Sequence, residues 1–225
     1  MSVARLYTTP LFLALVICGL LAGGCASAGV AMREKLGIPK REQLVDRVKE
    51  ARDSQQTAKK QFESALDEFL VVTGQKGQPG KVADLETQYN KFKSERERCE
   101  SRAAAVSDKI ASVELVGGKL FDEWRGELKQ YSSDDTRRRA QNLYDDSRDN
   151  YDRLLRAMKA AESKMKPVLA AFRDQELFLK HNLNAAAIAS LSGTAQQIQT
   201  DVANLIRDME GSIAEANRFI EQMGK

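Results

Sequence analysis

One histidine, one tryptophan, four prolines and three cysteines are spread over 225 residues, and aromatic side chains make up only 6% of the chain. Each shortage excludes something. His181 is the sole histidine, so the zinc and di-iron sites that helical proteins build from several inward-facing His, Cys or Glu ligands lack a ligand set. Glu176 stands five residues before it, which is not the Glu-x-x-His spacing. Cys18 and Cys25 both fall in the N-terminal segment, which leaves Cys99 without an internal disulfide partner. Few aromatics beside 30% charged residues are poor material for a conventional globular core, whereas scarce proline suits long helices. The formal charge is +3, and +2 if Arg5 is removed, so no basic excess points to nucleic acid. No cofactor is expected.

What is present begins with an apolar stretch, Leu11 to Leu21, preceded by Arg5 and followed by small residues, the layout of a secretory signal. Its end, Leu20-Leu21-Ala22-Gly23-Gly24-Cys25, resembles a bacterial lipobox, in which lipid is attached to the cysteine and the signal is cut just before it. Ala22 stands where such boxes usually carry leucine, with Leu21 one place further back. The expectation is therefore a signal over residues 1–24 and a lipidated Cys25. Two alternatives stay open. Ala26-Ser27-Ala28 is an A-x-A pattern at which an ordinary signal peptidase would release a soluble periplasmic binding module. The uncharged span between Leu6 and Met32 is long enough for an uncleaved membrane anchor, although its middle is rich in Gly, Ser and Thr. All three readings place the domain outside the cytoplasm. Ala26 is not the aspartate that resemblance to enterobacterial lipoproteins links with inner-membrane retention, so the expected site is the outer membrane, facing the periplasm.

Residues 25–38 are small and weakly patterned and read as a tether. Pro39 then suits the first turn of a helix. From there apolar residues recur at alternating steps of three and four, the period of a coiled-coil seam. A first helix over about 40–73 carries Leu44, Val48, Ala51, Gln55, Ala58, Phe62, Ala65, Phe69 and Val72. The glycine-rich GQKGQPG from Gly74 to Gly80 ends it. A second helix, about 81–131, runs through Val82, Leu85, Tyr89, Phe92, Arg96, Cys99, Ala103, Val106, Ile110, Val113, Gly117, Leu120 and Trp124 to Tyr131, with Gly117-Gly118 as its weak point. Ser132-Ser133-Asp134-Asp135 caps a third, about 134–190, whose stripe begins at Leu143 and includes Tyr151, Leu154, Met158, Phe172, Gln175 and Leu179. Pro167 should kink or divide it. Ser192-Gly193-Thr194 closes it, and Thr194 to Gln197 reads as a capping box for a fourth helix over about 195–223, with Ile198, Val202, Leu205, Met209, Ser212, Ala216, Phe219 and Met223.

Four seams joined by short connections predict an all-α fold: an elongated antiparallel helical bundle or coiled coil of about four long helices. The second and third helices are the longer pair. Their joining tip should project by about 25 Å beyond the others, on the side from which the tether leaves.

Three segments carry a family likeness: KREQLVDRVKEARDSQQTAKKQFESAL from Lys40 to Leu66, KLFDEWRGELKQYS from Lys119 to Ser132, and MKPVLAAFRDQELFLKHNLNAAAIASL from Met165 to Leu191. Together they resemble the uncharacterised proteobacterial family called domain of unknown function 2959, over nearly all of the chain after Cys25. The resemblance implies a helical envelope lipoprotein and favours Cys25 as the lipidated residue. It implies no activity and no catalytic residue.

Candidate sites are few. Lys180, His181, Asn182 and Asn184 form the most unusual polar patch, where a partner would dock; the plainer role of His181 is to bond with Asn182 or Asn184 near a helix end. Arg137, Arg138 and Arg139 would face the bilayer at the tip and contact lipid headgroups, or else stand as a solvated first turn beside Asp134 and Asp135. Gly74 to Lys81 fails the phosphate-loop pattern at Gln75 and Val82. Cys99 on the seam reads as a small buried hydrophobe. The expected function is non-enzymatic: a lipid-anchored scaffold or adaptor, with a lipid-contacting, membrane-organising protein as the alternative. Its partners would be the membrane and an envelope protein, with a second copy of the chain also open.

Overall fold

In the computed structural model, residues 37–76 and 85–223 are described, together with 30, 32, 33 and 35. Five helices follow in order: α1 Lys40–Val72, α2 Leu85–Leu128, α3 Asp134–His181, the short α4 Ala185–Ser190 and α5 Ser192–Met223. Among the described residues there is no strand. The four long helices close a circuit in which α1 packs on α2 and α5, and α3 packs on the same two. Cross-helix pairs show that neighbours run antiparallel. Lys40 meets Glu123 and Lys109 meets Glu50, both at 2.8 Å. Lys159 meets Glu114 at 2.7 Å, and Lys59 meets Glu210 at 2.7 Å. One residue number rises as its partner's falls, so the fold is an up-down-up-down four-helix bundle.

The heptad reading explains the core. All nine seam residues expected of the first helix are buried in α1, and all eight of the last are buried in α5. Phe69, Phe92 and Phe172, one from each of α1, α2 and α3, meet with ring centroids 5.2 to 6.3 Å apart. Removing any of these three Phe rings or Leu154 from water at about 25 cal/mol per Å² stabilises the bundle by roughly 2 kcal/mol per side chain. Inside the seam Ser212 Oγ donates to Gln55 Oε1 at 2.9 Å, with both residues wholly buried, while Gln55 Nε2 is left without a hydrogen-bond partner.

Five expectations need correction. The second stripe runs through Phe121, which is fully buried, while Leu120 is only partly covered and Tyr131 is exposed. A straight helix drifts about 20° per heptad against a strict seven-residue repeat, so after Val113 the buried face advances by fours to Gly117 and Phe121. Leu143 is exposed and Tyr144 is buried in its place, because this part of α3 is faced by α2 and packs on Phe121 and Trp124 at 5.8 and 5.6 Å. Glu176 rather than Gln175 turns inward, drawn by Arg96 of α2. Pro167 does not divide α3, which runs through it as one helix, and it lies on the exposed side. The third helix ends instead at His181, and α5 already begins at Ser192, so Thr194 sits inside the first turn and forms no capping box.

Helix ends are satisfied locally. At the C-terminus of α1, Gly74 takes φ 68°, its N–H donates to Val71 O at 3.1 Å, and that of Gln75 donates to Leu70 O at 2.8 Å. That pair of bonds is a Schellman motif, and the left-handed residue it demands is the glycine. Ser133 caps α3 by accepting from the Thr136 N–H. At the start of α1, Pro39 occupies the cap position and Gln43, almost wholly buried, donates from Nε2 to Ile38 O at 2.9 Å and Val30 O at 3.4 Å. Val30 is itself buried against the core. The described part of the segment before α1 is thus seated on the bundle.

The two ends of the bundle differ. At one end α1, α2, α3 and α5 finish nearly level. At the other, α1 begins beside the end of α5, where Arg41 Nε donates to Met223 O at 2.9 Å, while α2 runs on past Glu123 and α3 starts back at Asp134. The α2–α3 hairpin projects there by roughly 15–20 Å, less than the helix lengths in the sequence suggested.

Candidate functional site

At the root of the projecting hairpin the aromatic residues gather. Trp124 stacks on Phe121 at 6.2 Å and meets Tyr144 edge-on, and Tyr151 lies 5.2 Å from Phe121. The guanidinium of Arg148 sits over Phe121 and Tyr151 at 5.2 and 5.4 Å, with its Nε donating to Asp152 Oδ2 at 3.0 Å. Burial pushes the Tyr151 phenol up to about 12, so it stays a neutral donor, reaching Glu114 O at 3.4 Å. Gly117 is what admits this ring: a Cβ there would lie 2.3 Å from Tyr151 Cε2. The Gly117-Gly118 pair leaves α2 unbroken. Beside this cluster an open groove of about 440 Å³ is lined by Arg41, Leu120, Trp124, Leu143, Ser147 and Met223.

Arg137, Arg138 and Arg139 occupy the first turns of α3, all exposed, and each has an acidic neighbour on the same helix. Arg137 pairs with Asp134, Arg139 with Asp135 at 2.6 Å, and Arg138 approaches Asp135 at 3.8 Å. Exposed pairs of this kind hold weakly, at about 0–1 kcal/mol, and exchange readily for other anions.

Lys180, His181, Asn182 and Asn184 lie at the opposite end, about the turn between α3 and α4. Asn182 caps α3, its side chain donating to Phe178 O at 2.9 Å, and Asn184 caps α4 by accepting from the Ala187 N–H at 3.0 Å. Lys180 and His181 are exposed in the last turn of α3. This patch and the three arginines are therefore separated by the length of α3, and the fold does not bring them together. Cys25 lies outside the described residues, as does Val82.

The buried chemical groups are committed to packing. Arg96 Nε stands 2.5 Å from Glu176 Oε2 but off the hydrogen-bonding direction, so the contact is ionic; Arg96 also reaches Glu100 at 2.9 Å. Cys99 is buried, its thiol donating to Gln61 O at 3.2 Å, and desolvation pushes it up to about 12, far from a reactive thiolate. Among the described residues no group of three or more His, Cys, Asp or Glu could hold a metal ion, and no helix is long and apolar enough to cross a membrane. Sequence reasoning missed Glu176 and Phe121. Arg96 in the seam was the available signal for the first, since a buried cation calls for an anion on the facing helix.

A family model described as "Protein of unknown function (DUF2959)" matches residues 30–223. No curated protein and no solved structure matches the chain.

Proposed function

The chain belongs to the family of proteins of unknown function designated DUF2959, and from that premise we propose that it is a non-enzymatic, lipid-anchored envelope protein, held through Cys25 on the periplasmic face of the outer membrane and acting as a helical scaffold or adaptor. The observation that carries the reading is the position of Cys25. The family match begins at residue 30 and Val30 is already packed on the bundle, so the lipobox-like Leu21 to Cys25 abuts the folded body with four residues between. The chemistry of the interior supports a role by contact. Among the described residues the one thiol, Cys99, is buried and the inward carboxylate, Glu176, is neutralised by Arg96, while an exposed, mixed-charge surface remains for partners.

The test is metabolic labelling with palmitate in parent and Cys25→Ser cells. Label in the parent and none in the variant is expected; equal incorporation in both sinks the anchor. A soluble parent cut after Ala28 would instead favour the secreted binding module. Chemical cross-linking in intact cells followed by capture on the lipidated protein then identifies the partner. Substitution of Lys180, His181 and Asn184 by Ala should remove the cross-link if the patch at the far end receives it.

A further inference from the structure

Five residue steps separate Cys25 from Val30, and a fully extended chain of that length reaches ~18 Å at most. Val30 is fixed. It is 5% exposed, belongs to the core, and its carbonyl accepts from Gln43 Nε2 at 3.4 Å. The level of Val30 is that of the start of α1, since the same Gln43 Nε2 donates to Ile38 O; Lys40 there meets Glu123 on α2, whose neighbour Trp124 meets Tyr144 of α3. From Tyr144 back to Asp134, α3 continues in the direction of the projecting tip for ten residues, ~15 Å at 1.5 Å per residue. The hairpin therefore rises by most of the reach of the fully extended tether.

We propose that the α2–α3 tip is a membrane-contact surface whose partner is the phospholipid headgroup layer of the leaflet that holds Cys25. The inference rests on Cys25 being the anchored residue. With the bundle upright, a lipid on Cys25 enters a bilayer only where the surface comes down to about the level of the tip. The tip is suited to that contact. Tyr131, at the turn, is 39% exposed, and Leu143, on the projecting part of α3, is 62% exposed. Between Lys129 and Ala140 the chain carries Lys129, Arg137, Arg138 and Arg139 against Asp134 and Asp135, four cations less two anions, or +2. Aromatic and basic side chains of this kind settle at the headgroup level, apolar parts inward and charges outward. The arginines are held only by exposed, same-helix carboxylates, which phosphates can replace. Asp145 and Asp146 sit further from the tip and set a limit on how deep it enters.

The experiment separates the tip from the natural anchor by installing the lipid chemically. The chain from Cys25 to Lys225 is coupled through Cys25 to a maleimide phospholipid in phosphatidylethanolamine–phosphatidylglycerol vesicles; the buried Cys99 thiol is spared. Trp124 is the only tryptophan, so Trp124→Phe combined with Tyr131→Trp places the single fluorophore at the tip, and Trp124→Phe combined with Phe178→Trp places it at the far end. A headgroup spin label should quench the tip reporter at least about threefold more than the far one, which stands roughly 65 Å away along α3. Trp124→Phe with Leu143→Trp repeats the measurement from a second exposed position. Equal quenching at tip and far end by both reporters overturns the proposal. Failure of palmitate labelling in cells would refute natural anchoring alone and leave the vesicle result to decide the tip.

Discussion

The ring of Tyr151 fills the space that a side chain at position 117 would need: a Cβ on Gly117 would lie 2.3 Å from Cε2 and 2.5 Å from the phenol oxygen. The ring has little freedom to move aside, since Phe121 and Phe219 stand 5.2 and 6.5 Å from it and Arg148 covers it. Gly118, one residue on, faces open space. Gly117→Ala should therefore cost about 1–3 kcal/mol through overpacking, despite alanine's better helix propensity. Gly118→Ala should gain up to about 1 kcal/mol. Urea unfolding of the two variants decides it, and stabilisation by both would show that the ring does not constrain the helix.

Arg96 and Glu176 are each under a tenth exposed, so neither charge can turn to water when its partner is removed. Arg96→Met alone should cost about 3–5 kcal/mol, because it leaves Glu176 without its cation, and Glu176→Leu alone should cost less, since Glu100 stays 2.9 Å from Arg96, whereas the double substitution should be close to neutral or stabilising. A double-mutant cycle on melting reads the coupling. Additive losses would place the two side chains apart.

Alkaline pH should weaken the bundle. Burial raises Cys99 from its ordinary 9.0 and Tyr151 from 10.0, each to about 12. Between those values the unfolded chain gives up protons that the folded chain keeps, so the stabilisation is complete below pH 9 and is lost as pH rises towards 12. Tyr151→Phe should flatten the loss above pH 10 without moving stability at pH 7 by more than about 1 kcal/mol, the net worth of one hydrogen bond. An unchanged slope would assign the alkaline transition elsewhere.

Changing Arg137, Arg138 and Arg139 together to Gln should weaken binding of the lipid-free domain to anionic vesicles, at about 1 kcal/mol per arginine at low salt. Asp134→Asn with Asp135→Asn should act in the opposite direction, because it frees the same guanidinium groups from their exposed partners. Cosedimentation at low and high salt measures both. Indifference of binding to all five changes would reduce the tip to a capped turn.

Substitution of Phe62 or Leu154, both fully buried, by Ala should cost on the order of 2–5 kcal/mol. That these two belong to the core was legible from periodicity, as were the other seam residues of α1 and α5, though not Gln43, Val45, Leu70 or Ala195, which are buried beside the seam. In those helices one residue in every step of three or four is apolar except at Gln55 and Ser212, and a wrong phase would have exposed Phe69 or Phe219. Legibility fails where the environment changes along a helix. At Leu143 and Tyr144 α3 passes from four-helix surroundings to the projecting hairpin, and the residue facing the neighbour changes accordingly. At the end of α3 two asparagines outweighed the serine, glycine and threonine ten residues on, because Asn182 and Asn184 satisfy the free backbone groups of two successive helix ends at once. The tip arginines were visible as a run of cations; their same-helix pairing and the short reach of the segment from Cys25 to Val30 needed coordinates.

The bond from Arg41 to the carbonyl of Met223 brings the start of α1 and the end of α5 into contact, so the helices form a ring in which each long helix has two neighbours and none is first by necessity. A circular permutant that joins Met223 to Val30 through a short linker and opens between Lys76 and Leu85 keeps every interhelical pair described above. Moving the chain ends to the level extremity would also carry an N-terminal anchor there, and the same bundle would then hang from the membrane upside down, with its arginine tip turned to the aqueous side.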